Sequence, residues 1–129
     1  MKRMNDRETN DHAKALVREA WASTEKWASL YDEAVALLRP LAGADDASSE
    51  TLTNYGAILS DIGQHAAAER FLRRAEACGS SYRNTSYNLA VALMNLARRP
   101  EARPLFEKAV KMAKEDDPTI QAYFDPQGY

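Results

Sequence analysis

The two stretches SETLTNYGAILSDIGQHAAAERFLRRAEACGSSY (49–82) and RNTSYNLAVALMNLARRPEARPLFEKAVKMAKED (83–116) decide the fold, because laid over one another they keep the same order of small, large and polar residues at an offset of 34. Thr51 meets Thr85, Asn54 meets Asn88, Leu59 meets Leu93, Ala68 meets Ala102 and Ala75 meets Ala109. Bulk also matches at Gly56 with Ala90, Gly63 with Ala97, Phe71 with Leu105 and Leu72 with Phe106. Within each copy the apolar residues recur at spacings of three and four, first through Leu52, Tyr55, Gly56, Leu59 and Ile62, then again through Ala68, Phe71, Leu72 and Ala75. That spacing makes an apolar stripe on a helix, and its interruption at Gly63 predicts two helices per copy. Gly56 or Ala90 set against Ala68 or Ala102 would let the two helices approach closely enough for their large neighbours to interlock.

A 34-residue helical hairpin with this small and large order resembles the tetratricopeptide repeat. Tyr87-Asn88-Leu89-Ala90-Val91-Ala92-Leu93 is similar to the family's first-helix motif. The segments from Ala68 to Ala75 and from Ala102 to Ala109 resemble its second-helix motif. A weaker copy is expected over 15–48, where Ala34, Leu38 and Leu41 stand one period before Ala68, Leu72 and Ala75. Its first helix is less faithful: Ala22 holds the small position, Glu25 falls where Leu59 and Leu93 stand later, and Val17, Trp21 and Trp27 point to a different buried face. A terminal repeat has one neighbour rather than two, so departure from the pattern is expected there. The fold predicted is all-α: a right-handed superhelical array of about three antiparallel helix pairs in one domain over 1–129, with repeats 15–48, 49–82 and 83–116. Pro40 should end or kink its helix, and Asp46, Ser48 or Ser49 can cap the next one. Asp117 and Pro118 are expected to start a short C-terminal capping helix over 118–125, with Ile120, Tyr123 and Phe124 on one face; the alternatives are a disordered tail and a segment that inserts into the groove of a neighbouring molecule.

The resemblance implies a concave inner surface built from the first helix of each repeat. In this numbering the positions that project there, and would bind a protein or an extended peptide, include Asn54 and Asp61 in one copy and Asn84, Tyr87, Asn88, Val91, Met94 and Asn95 in the next. The upstream copy would add Glu19, Ser23, Lys26 and Trp27. Asparagine carries donors and an acceptor on a short stem, so Asn54 and Asn88, one repeat apart, suit the amide groups of an extended chain; equally, they suit bracing of the neighbouring repeat. Tyr87, Val91 and Met94 suit apolar anchors of a ligand, or packing within the array. The lysine-rich clamp by which some family members hold acidic chaperone tails is missing, since Thr53, Tyr87, Glu50 and Asn84 occupy its positions.

Composition excludes other classes. Seventeen Lys and Arg against nineteen Asp and Glu leave a charge of −2 with no long basic run, which argues against nucleic acid. No apolar run reaches the roughly 18–20 residues that span a bilayer, and the opening Met1-Lys2-Arg3-Met4-Asn5-Asp6 is followed by polar residues where a secretion signal has an apolar core. Neither membrane association nor export is expected, and the single cysteine, Cys78, fits a reducing cytoplasm. Two histidines, His12 and His65, with one thiol give no metal-binding spacing, and the glycines form no phosphate loop. No cofactor, metal or catalytic residue is expected. The leading reading is a non-catalytic adaptor that binds a protein or peptide; the alternatives are a self-associating structural module and a chaperone or toxin-neutralising protein dedicated to one client.

Overall fold

In a computed structural model, which describes residues 4–112 of the chain, six helices and no strands occur among the described residues. They are α1 (Asp6–Ala22), α2 (Trp27–Ala42), α3 (Ser49–Asp61), α4 (His65–Ala77), α5 (Arg83–Asn95) and α6 (Arg99–Met112). Each odd-numbered helix packs most closely against the even-numbered helix that follows it, and the hairpins then stack in chain order through α2 on α3, α4 on α5, and the row α1, α3, α5. The architecture is an all-α array of helix hairpins. The expected helix over 118–125 lies outside the described residues.

Helix starts follow local chemistry. The Asn5 side chain accepts from the Glu8 backbone N–H at 2.8 Å, and the Ser48 hydroxyl accepts from the Thr51 N–H at 3.1 Å, so each satisfies a donor that the first helical turn leaves open. The α2 C-terminus falls two residues beyond Pro40. There the Arg74 guanidinium of α4 donates to the carbonyls of Ala42 and Ala44 at 2.9 and 3.0 Å, supplying partners that the helix end lacks and tying the first hairpin to the second. In α6 Pro104 lies inside the helix, where it cannot donate to the turn before it.

The turns between α3 and α4 and between α5 and α6 are built alike. Gly63, at φ +87°, is followed by Gln64, whose N–H reaches back to the Leu59 carbonyl at 2.8 Å; one period later Ala97, at φ +62°, is followed by Arg98, bonded to Leu93 at 2.8 Å. This is the left-handed helix stop that glycine favours. Alanine there carries a steric cost of roughly 1–2 kcal/mol. An Ala97→Gly variant is therefore expected to gain about 0.5–1 kcal/mol after the entropy of a freer unfolded chain is subtracted, and Gly63→Ala to lose about 1 kcal/mol or more. Paired urea titrations check both signs; loss of stability in Ala97→Gly would contradict the account.

The core runs continuously through the array. Ala13, Leu16 and Ala20 of α1, Tyr31, Ala34 and Leu38 of α2, Tyr55, Ile58 and Leu59 of α3, Ala68 and Leu72 of α4, and Leu89, Ala90 and Leu93 of α5 form one buried cluster with Ala102. At the α3–α4 seam the nearest neighbour of Gly56 is Leu72 rather than Ala68: a Cβ at Gly56 would stand 2.5 Å from the Leu72 Cγ. Tyr55 and Phe71 close the same seam edge to face, with ring centroids 4.8 Å apart.

Between hairpins the contacts are polar as well as apolar. Asn10 of α1, almost wholly buried, donates to the Thr51 hydroxyl of α3 at 2.9 Å and accepts from the Asn54 amide at 2.9 Å. One repeat on, the Thr53 and Thr85 hydroxyls meet at 2.7 Å, and Ser80 reaches Thr85 at 2.7 Å. Across α4 and α6, Arg98 donates to Glu69 at 2.7 Å and to Glu101 at 2.5 and 2.8 Å, while Arg73 adds a bond to Glu69 at 2.8 Å. Partial burial works against ionisation of Glu69, but the two guanidinium groups hold its pKa below the usual glutamate value.

Candidate functional site

The row α1, α3, α5 carries the candidate site. A groove of about 240 Å³ opens between α1 and α3, lined by Lys14, Val17 and Arg18 on one side and by Asn54, Ala57, Ile58 and Asp61 on the other. Its floor is apolar and its rim charged. The α3 residues line it because 54, 57, 58 and 61 share one helical face, and the hydrogen bonds of Asn10 to Thr51 and Asn54 hold α1 alongside.

On α5 the positions one period after Asn54, Ala57 and Asp61 are Asn88, Val91 and Asn95. Asn88 and Val91 are half-buried and Asn95 is exposed. The same face therefore continues along the array. Asn88 and Asn95 each donate to a carbonyl of their own helix, Asn84 at 2.8 Å and Val91 at 2.9 Å, so each amide keeps its oxygen and a second N–H for another partner. Asn84 is exposed at the start of the helix.

Tyr87 and Met94 stand differently. Tyr87 meets Phe106 of α6 edge to face at a centroid distance of 5.9 Å, and Met94 packs partly buried against the core. Both contribute to the array itself, which the spacing alone left open. Asn54 and Asn88 also part company: Asn54 is spent on Asn10, and Asn88 bonds within α5.

Four groove residues, Lys14, Val17 and Arg18 of α1 and Ile58 of α3, are not among the expected positions. The 34-residue offset, carried upstream, selects Glu19, Ser23, Lys26 and Trp27. In the structure α1 ends at Ala22 and α2 opens at Trp27, a full turn before the position that matches the α4 start, so Glu25 and Lys26 fall in the turn and Trp27 opens the second helix. The buried set Thr9, Asn10, Ala13, Leu16 and Ala20, with its spacing of three and four, is the sequence signal that would have set α1 in register.

The end of the groove is polar. Asp61 accepts from the Tyr31 hydroxyl at 2.8 Å, and that hydroxyl accepts from the Trp21 indole N–H at 2.9 Å. Desolvation of the carboxyl raises the Asp61 pKa, opposed by the Tyr31 hydrogen bond, although the residue as a whole is exposed. Tyr31 is itself buried and stacks on Trp27 with centroids 4.4 Å apart. Lys14 lies 3.7 Å from Asp11 and 3.9 Å from Glu50, long contacts on a surface open to solvent.

No three His, Cys, Asp or Glu side chains come together among the described residues in a way that could hold a metal ion. No helix among them is long and apolar enough to cross a membrane. The chain matches no curated protein. Residues 84–115, which hold nearly all of α5 and the whole of α6, match the family model described as tetratricopeptide repeat; this match supports the resemblance carried by the sequence and suggests a protein-interaction module, since repeats of that family are generally non-catalytic.

Proposed function

We propose that the chain is a non-catalytic cytoplasmic adaptor that holds an extended segment of a protein partner along the face formed by α1, α3 and α5. The observation that supports this reading most directly is the open groove between α1 and α3, with an apolar floor and a polar rim, whose α3 wall recurs one repeat later as Asn88, Val91 and Asn95. A ligand in extended conformation offers an amide every residue and a side chain on alternate faces. Asparagines at intervals along a row of helices meet the amides, and small apolar floors between helices meet the side chains.

Asn88 and Asn95 provide the cleanest test because neither side chain bridges to another helix. The Asn88→Ala/Asn95→Ala variant is expected to melt within a few degrees of the parent chain, since surface substitutions away from bridging contacts cost about 0.5 kcal/mol or less each. Its capture of a partner from native lysate, compared quantitatively with the parent, should fall at least about tenfold if those amides bind the ligand. Undiminished capture by a folded double variant would remove α5 from the binding face.

A further inference from the structure

The charges around the α1–α3 groove are unequal in what they leave for a ligand. Asp61 is engaged by the Tyr31 hydroxyl at 2.8 Å, and Glu50 faces Arg7 at 3.5 Å and Lys14 at 3.9 Å. Arg18, exposed on the α1 rim, makes no ion pair or hydrogen bond among the described residues. Arg18 therefore offers a ligand a positive charge that no carboxylate of the described residues engages, beside an apolar floor of Val17, Ala57 and Ile58, while Asp61, bonded only to a neutral hydroxyl, keeps its own charge at the far wall.

One turn along α1 from Val17 and Arg18 stands Trp21, 69% exposed. Aromatic rings of this size bury much surface at modest conformational cost, which is why they anchor interfaces. This one is also held in place, because its indole N–H donates to Tyr31, whose hydroxyl in turn donates to Asp61 at the groove's edge. A ring that is fixed before a ligand arrives loses less freedom on binding.

The groove's volume of about 240 Å³ falls below the roughly 300–1,000 Å³ of clefts that enclose a whole small molecule. It fits side chains of a longer chain. From this juxtaposition we infer that the groove between α1 and α3 takes an acidic-apolar peptide segment: a large apolar side chain enters over Val17, Ala57 and Ile58, Trp21 covers it, and a neighbouring carboxylate pairs with Arg18. The inference rests on the proposed binding face and names the ligand chemistry of its first section.

Three synthetic ten-residue peptides on a Ser-Gly background test it, carrying Glu-Glu-Leu-Phe, Lys-Lys-Leu-Phe or Glu-Glu-Ser-Ser at their centres. The full chain is used as Trp27→Phe, which retains an aromatic ring beside Tyr31 and leaves Trp21 as the sole tryptophan, so its emission reports on this end of the groove. In titrations up to about 1 mM, the first peptide should shift the emission and bind about five- to tenfold more tightly than either of the others. Arg18→Glu, on an exposed side chain, should reverse the order of the two Leu-Phe peptides, and Ala57→Leu, which fills the groove from its floor, should abolish the shift; circular dichroism establishes that both variants are folded. Equal binding of the three peptides, no binding of any, or an order that survives Arg18→Glu would each overturn the inference. If these fail while Asn88→Ala/Asn95→Ala still weakens partner capture, the wider binding face stands and only this ligand assignment falls.

Discussion

Leu72→Ala is expected to lower folding stability by about 2–5 kcal/mol, a large share of what a domain of this size possesses. Leu72 is fully buried on α4 and fills the space that the missing side chain of Gly56 leaves on α3, its Cγ and Cδ2 lying 2.5 and 2.9 Å from where a Cβ would stand. Truncation removes the leucine's transfer energy and opens a void that two closely set helices cannot collapse. Gly56→Ala attacks the same contact from the other side. The added methyl must displace Leu72 at a cost of about 1–3 kcal/mol, offset by close to 1 kcal/mol because alanine favours a helix over glycine. The double variant Gly56→Ala/Leu72→Ala is the decisive one: the methyl added on α3 then occupies part of the void, so its loss should fall short of the summed single losses by about 0.5–3 kcal/mol. Urea unfolding of the four proteins measures that difference, and strict additivity would show that Gly56 and Leu72 do not pack as described.

How far the sequence reveals this molecule depends on which interaction positions each residue. The hairpins of α3–α4 and α5–α6 are legible because helix periodicity, the small residue at 56 or 90 and the left-handed stop at 63 or 97 are local features repeated at one interval. The match of residues 84–115 to the tetratricopeptide repeat concerns this well-marked stretch. The first hairpin is harder to place. Its α1 spans 17 residues against 13 in α3 and α5, so the interval that works downstream misplaces the groove's α1 wall. Seam partners are also hidden: periodicity says that Gly56 and Ala68 are both interior, but the Leu72 contact depends on how one helix is rotated against the other. Asn54 and Asn88 show the deepest limit. They are identical residues at equivalent positions, yet Asn54 has a buried asparagine opposite it on α1 and Asn88 bonds to a carbonyl of its own helix.

That difference gives the second large effect. Asn10 spends its amide on the Asp6 carbonyl at 2.8 Å and the Thr51 hydroxyl at 2.9 Å, and its oxygen on Asn54, while remaining 1% exposed. Asn10→Leu keeps similar bulk but leaves the Asn54 amide facing an apolar group, and the expected loss is about 2–3 kcal/mol, combining the missing bonds with the desolvation of what remains. Thr51 suffers less, since Ser48 still reaches its hydroxyl at 3.0 Å. Asn54→Ala should cost about 1 kcal/mol and Asn88→Ala within about 0.5 kcal/mol of nothing, so residues that the repeat makes equivalent separate in a thermal melt. Replacing both partners, as Asn10→Leu/Asn54→Leu, should recover much of the loss because no polar group is then stranded between α1 and α3. Equal losses at Asn54 and Asn88 would mean that α1 is not fastened to α3 in this way. Since the same bonds set the width of the groove between those helices, Asn10→Leu should also weaken any ligand held there, whereas Asn88→Ala should weaken binding along α5 with the fold untouched.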